Sequence, residues 1–149
     1  MSAKIRLYTI GFTKKTAEKF FTTLKAAGVA RVLDVRLNNS SQLAGFTKKE
    51  DLEYFLKSIA GIGYAHLPEL APTQDILTAF KKEKGDWSIY ETKFLALMQS
   101  RRIEDSVSKD LIDGGCFLCS EDTPECCHRR LVAEYLAVKW GDVEIVHLG

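Results

Sequence analysis

The chain has almost no net charge, no long apolar run, and no cysteine before position 116. Lys and Arg number 21 against 20 Asp and Glu. That balance excludes the broad basic face a nucleic-acid binder needs, and leaves only a local patch open. No stretch approaches the ~18–20 apolar residues of a membrane span. The opening MSAKIRLYTIGF lacks a small-residue cleavage site and reads as a first strand rather than a signal peptide. The expectation is a cytoplasmic protein with reduced cysteines and no membrane partner. Neither a GxGxxG turn nor a Walker P-loop occurs, so no nucleotide cofactor is called for. The residue six after Cys119 is Glu125, which excludes a phosphatase-type Cys-x5-Arg loop. There is no internal repeat, low-complexity tract or linker. The 149 residues, 46% hydrophobic, read as a single α/β domain spanning 1–149.

Short apolar runs alternate with helical periods. IRLYTIG, ARVLDVR, GYAHL, GGCFLCS and VEIVHLG read as strands. The first helix places Ala17, Phe20, Phe21, Leu24 and Ala27 on one stripe and stops at Gly28. A second opens with the capping box Thr47/Glu50 and buries Leu52, Phe55, Leu56 and Ile59. A loop, PELAPTQ, leads to a short helix over 76–82. A further box, Ser88/Glu91, starts a helix carrying Tyr90, Phe94, Leu97 and Met98. Its spacing continues, after a bend, through Ile103, Val107 and Leu111. A last helix runs over PECCHRRLVAEYLAVKW. This pattern predicts a three-layer fold, a mostly parallel sheet of about five strands with helices on both faces.

Such sheets bind ligands beyond the carboxyl ends of their strands. Those ends supply Thr9, Gly11, Phe12 and Thr13; Asp34, Arg36, Asn38 and Asn39; His66 and Glu69; and Cys119, Ser120, Glu121 and Asp122. Asp34 and Arg36, two apart, share a face. They form either a salt bridge or an anion clamp with an orienting carboxylate. His66 reads as a loop-edge histidine and His147 as exposed. The pairs Lys14-Lys15 and Lys48-Lys49 read as solvated helix starts.

All four cysteines lie in GGCFLCSEDTPECCHRR, residues 114–130. Cys116 and Cys119 are three apart on a strand and point to opposite faces, so they make neither a zinc knuckle nor a thioredoxin-like pair. Cys116 reads as a buried small hydrophobe. Cys126 and Cys127 diverge on the helix, and the expectation is a site without metal. A Cys/His metal site built on Cys126, Cys127 and His128 is kept as an alternative. With Thr123 as N-cap and Pro124 at the first position, Cys126, Cys127, His128 and Arg129 fall near the helix start. Unpaired amides and the helix dipole there favour a thiolate or a bound anion. A wheel through Leu131, Val132, Tyr135 and Val138 aims His128 at the sheet and puts Arg129 and Arg130 on the flanks.

These residues taken together resemble a family known as the domain of unknown function 488, over nearly the whole chain. The family's T-I-G-H-S strand corresponds to Thr9–Thr13, D-V-R to Asp34–Arg36, and a serine-containing loop with a phenylalanine to NNSSQLAGF. A G-I-x-Y-x-x-L-x-x-L segment corresponds to GIGYAHLPEL. The signature L-x-C-x-E-x-x-P-x-x-C-H-R corresponds to Leu118, Cys119, Glu121, Pro124, Cys127, His128 and Arg129. Phe12 stands where the family has histidine, and the proline usual after D-V-R is absent. The resemblance implies an α/β fold and a shared site, not a reaction.

The resulting expectation is an enzyme acting on a small anionic substrate, nucleotide or phosphorylated. Cys127 or Cys119 is its nucleophile, His128 an acid or base, and Asp34 or Glu121 a proton acceptor or orienting group. Arg36, Arg129, Thr9, Gly11, Thr13 and Ser40 would bind the anion. The alternative is a non-catalytic module binding nucleic acid or protein. Monomer and homodimer are both open. The enzyme reading requires the end of the second strand and the start of the last long helix to be neighbours.

Overall fold

A computed structural model of the chain describes residues 4–12, 14–37, 48–82, 87–119 and 127–148. Among these residues five strands form one parallel sheet: β1 (Ile5–Gly11), β2 (Arg31–Asp34), β3 (Gly63–His66), β4 (Gly115–Cys119) and β5 (Val143–His147). Their spatial order is β3-β2-β4-β1-β5. The helices are α1 (Ala17–Ala27), α2 (Lys49–Phe55), α3 (Gln74–Lys82), α4 (Trp87–Arg101), α5 (Ile103–Ser106), α6 (Lys109–Ile112) and α7 (His128–Trp140). The three-layer α/β architecture is the one the alternating pattern predicts.

Parallel neighbours need crossovers, and crossovers are right-handed. The chain steps one way along the sheet from β1 to β2 to β3, then back to β4 and across to β5. The reversal sends α1 and α2 to one face and α4 and α7 to the other. Two separate cores result. Tyr8, Ile10, Phe20, Phe21, Leu24, Leu52, Leu56 and Cys116 pack on the first face. Leu7, Leu33, Tyr90, Phe94, Met98, Phe117, Cys119, Leu131 and Leu136 pack on the second. Each large apolar side chain so buried contributes roughly 1.5–3 kcal/mol. The connection leaving β2 runs towards β3 at one edge and that leaving β4 towards β5 at the other, so the carboxyl ends of these two neighbours are the switch point at which such sheets bind ligands.

The Gly114-Gly115 pair is needed to start β4. Gly114 has φ 78°, a left-handed conformation that favours glycine. A Cβ on Gly115 would sit 2.6 Å from Leu33 Cδ1 and 3.1 Å from the Ile112 carbonyl.

Several local expectations are corrected. α7 begins at His128, with Cys127 as an extended N-cap (φ −137°, ψ 137°) whose side chain makes no capping bond. Thr123 and Pro124 lie outside the described residues. The buried stripe of α7 is Arg129, Val132, Ala133 and Leu136, with Leu131 beside it. It is rotated from the predicted one, so Val138 is 82% exposed. Ile59 is also turned out, at 50% exposure. Residues Leu56–Ala60 form a π-helical turn, whose wider winding breaks the i, i+3, i+4 register after Leu56. Ser88 lies inside α4 rather than capping it, and Thr47 lies outside the described residues. The helical run does not continue evenly past α4. Arg102 adopts φ 50°, and two one-turn helices follow.

Candidate functional site

The strand edge is built from three layers of contact. At the end of β2, Asp34 is fully buried and Arg36 nearly so. The guanidinium donates from Nε to Oδ1 at 2.8 Å and from Nη2 to Oδ2 at 2.7 Å. The Arg36 amide adds a bond to Oδ1 at 3.2 Å, and the Tyr64 hydroxyl donates to Oδ2 at 2.6 Å. This is the salt-bridge alternative of the Asp34/Arg36 reading, in bidentate form, with a carboxylate that accepts four hydrogen bonds. Phe12, in the place of the family's histidine, covers the Arg36 guanidinium at 5.4 Å from its ring centroid. His66 donates from Nε2 to the Arg36 carbonyl at 2.8 Å, tying the edge strand to the same loop. Glu69 is exposed.

At β1, Gly11 is in register with Cys119 of β4. Thr9 is fully buried, and its hydroxyl shares a 2.6 Å hydrogen bond with His147 Nδ1 on β5. His147 is exposed, as expected, but it is also a partner of the sheet.

The third layer is the start of α7. His128 Nε2 lies 2.6 Å from the Val35 carbonyl. A carbonyl only accepts, so Nε2 carries the proton and Nδ1 keeps its lone pair. The ring packs against Phe94, 5.5 Å between centroids. Burial, aided by the Arg129 charge, pulls the imidazole down to about 4, against the raising effects of the Val35 bond and Asp34. At neutral pH His128 is therefore a neutral ring with a free acceptor nitrogen.

Arg129 departs most from expectation. Placed on the flank by the helical wheel, it is fully buried. Its Nη1 donates to Cys119 Sγ at 3.3 Å. A signal was available: position 129 lies three, four and seven residues before Val132, Ala133 and Leu136, the spacing of one helix face.

Cys116 and Cys119 face opposite cores, as the strand period requires. Cys116 is a free, buried thiol, and burial pushes its pKa up. Cys119 meets Cys127 instead. Against the expectation of reduced cysteines, the structure joins the two sulfurs in a disulfide across a Cα–Cα separation of 7.4 Å. One donor nitrogen of His128 and both sulfurs lie within 4.8 Å of one another. A separation of eight residues between Cys119 and Cys127 is no recognised pairing motif, and the CxxC and CC spacings around it point elsewhere. Thr13, Ser40, Glu121 and Cys126 lie outside the described residues. The required neighbourhood of the β2 end and the α7 start is present through the His128–Val35 contact.

The sequence matches the family Domain of unknown function DUF488 over residues 16–136. No curated protein and no solved structure matches the chain.

Proposed function

Because the chain belongs to the family Domain of unknown function DUF488, whose description assigns no reaction, we propose a function from the site itself: an enzyme of thiol chemistry acting on a small anionic substrate, nucleotide or phosphorylated. The observation that carries the reading is the convergence of Cys119 and Cys127 at the first turn of α7, under the Arg129 guanidinium and beside a neutral imidazole. A guanidinium donating to sulfur and a helix N-terminus both favour thiolate over thiol. His128, held by Val35, keeps a lone pair to take a proton from a thiol or an incoming group. The first turn of α7 contains His128, Arg129 and Arg130 and no acidic residue. Arg130 is paired with Glu134 at 3.1 Å, and the amide end of the helix itself favours negative charge, which supports an anionic ligand. Asp34 and Arg36, bound to each other, act here by holding the β2 end against His128.

The test is alkylation of the reduced, metal-free protein by iodoacetamide near neutral pH. Cys119 or Cys127 is expected to react at least ~10-fold faster than a free cysteine peptide, as a thiol of lowered pKa does. Reaction no faster than the peptide removes the thiol-enzyme reading. Salt-insensitive elution from heparin is also expected, and separates this reading from a nucleic-acid-binding module.

A further inference from the structure

The Cys119–Cys127–His128 cluster has the donor chemistry of a metal centre as well as of a reactive thiol. We propose that, with both thiols reduced, these three side chains form a site for a thiophilic divalent cation, zinc above all, that competes with the thiol chemistry. The inference rests on the same convergence of side chains that supports the enzyme reading, but not on any cysteine acting as nucleophile.

Three observations argue for it. The first is spacing. An unstrained disulfide spans roughly 4.4–6.8 Å between Cα atoms, and Cys119 and Cys127 are 7.4 Å apart. With a zinc ion between them, bonds of about 2.3 Å to sulfur and about 2.0–2.1 Å to nitrogen put tetrahedral donors on the order of 3.5–4 Å apart. The wider backbone suits that span better than a direct bond, and a His128 nitrogen lies within 4.8 Å of both sulfurs, which part on reduction to admit the ion.

The second is the imidazole. Its Nε2 is committed to the Val35 carbonyl at 2.6 Å, which fixes the ring and leaves Nδ1 as the ligand atom. A carbonyl accepting the far ring N–H is the usual outer partner of a metal-bound histidine. The third is charge. Binding exchanges two thiol protons for one divalent ion: Zn2+ plus two thiols gives the dithiolate complex and two protons. Arg129, donating to Cys119 Sγ at 3.3 Å, then hydrogen-bonds a coordinated sulfur, as outer-shell donors do. Two thiolates and an imidazole prefer zinc over magnesium or calcium.

The experiment is a cobalt titration of the reduced, chelator-treated full chain, followed by displacement with zinc. One equivalent of cobalt should produce the near-ultraviolet thiolate-to-metal band and the intense visible bands of tetrahedral coordination. C119S, C127S and H128A should each lose affinity by at least ~100-fold, beyond the ~10–100-fold typical of outer-shell changes. C116S, altered on the opposite face of the sheet, should retain it. Zinc competition against a chromophoric chelator gives the same ranking without relying on activity, and circular dichroism checks each variant's fold. Absence of the thiolate band in the reduced wild-type chain overturns the proposal. So does unchanged affinity in the folded C119S/C127S double variant. Slow alkylation of a metal-free chain that still binds cobalt removes the thiol-enzyme reading alone. Fast alkylation with no cobalt band removes the metal site alone.

Discussion

The Nε2 of His128, first residue of α7, lies 2.6 Å from the backbone carbonyl of Val35, the residue after β2. This bond joins two elements that are 93 positions apart in the chain. On one side of it stands the Asp34–Arg36–Tyr64 network, and on the other the Cys119–Cys127 pair. Three consequences of this arrangement, and one of a turn elsewhere in the fold, are open to measurement.

The half-buried imidazole makes stability depend on pH. Its folded pKa, about 4, lies below the ordinary 6.5, so between those values the unfolded chain binds more protons than the folded one. Stability therefore rises with pH across that window and is lost as pH falls through it. The contribution is at most about 3 kcal/mol. Urea midpoints of the reduced, metal-free protein should fall from pH 6.5 to 4. H128Q, which keeps a donor for Val35 but does not titrate, should flatten that part of the curve.

Removing the Arg129 charge should slow alkylation of Cys119. In R129M the sulfur loses its donor, so the reduced protein's thiolate is less favoured. A drop of about tenfold in the alkylation rate of the reduced protein near neutral pH is expected. An unchanged rate in a folded variant would show that the guanidinium does not activate the sulfur.

Breaking the Asp34–Arg36 pair from one side should be costly. D34N leaves a guanidinium that is 5% exposed without its carboxylate, a loss of about 3–5 kcal/mol. Y64F removes one hydrogen bond to the same carboxylate and should cost about 1 kcal/mol. The double variant D34N/R36M should be less unstable than the sum of its parts. Additive losses in denaturant unfolding would mean the two groups are not coupled.

The π-helical turn after α2 can be tested by contrast. Ile59, exposed by that turn, should accept lysine within about 0.5 kcal/mol. Leu56, three residues earlier and fully buried, should lose about 2–5 kcal/mol on replacement by alanine. Equal sensitivity would restore the even α-helical register.

Five strands, their alternation with helices and the crowding of polar residues at one edge follow from local pattern. The period of apolar residues reports which segments have a buried side, and that property is largely local. The opposite facing of Cys116 and Cys119 follows in the same way from the two-residue period of a strand. Where the reading failed, a charged or apolar residue broke the simple rule that charge lies outside. Arg129 occupies a core position of α7, and Val138 a surface one, because the helix is oriented by its contacts with β4 and α4 rather than by its own composition.

The sequence alone determined the α/β class, the family and the segment that holds the cysteine cluster. Only tertiary structure decided which of those residues meet. The order β3-β2-β4-β1-β5 inserts β4 between strands that precede it in the chain, and so brings Cys119 beside Cys127 and His128 beside Val35. A local period states which side of an element faces inward. It carries no record of which distant backbone will be waiting there, because that depends on the packing of the whole sheet.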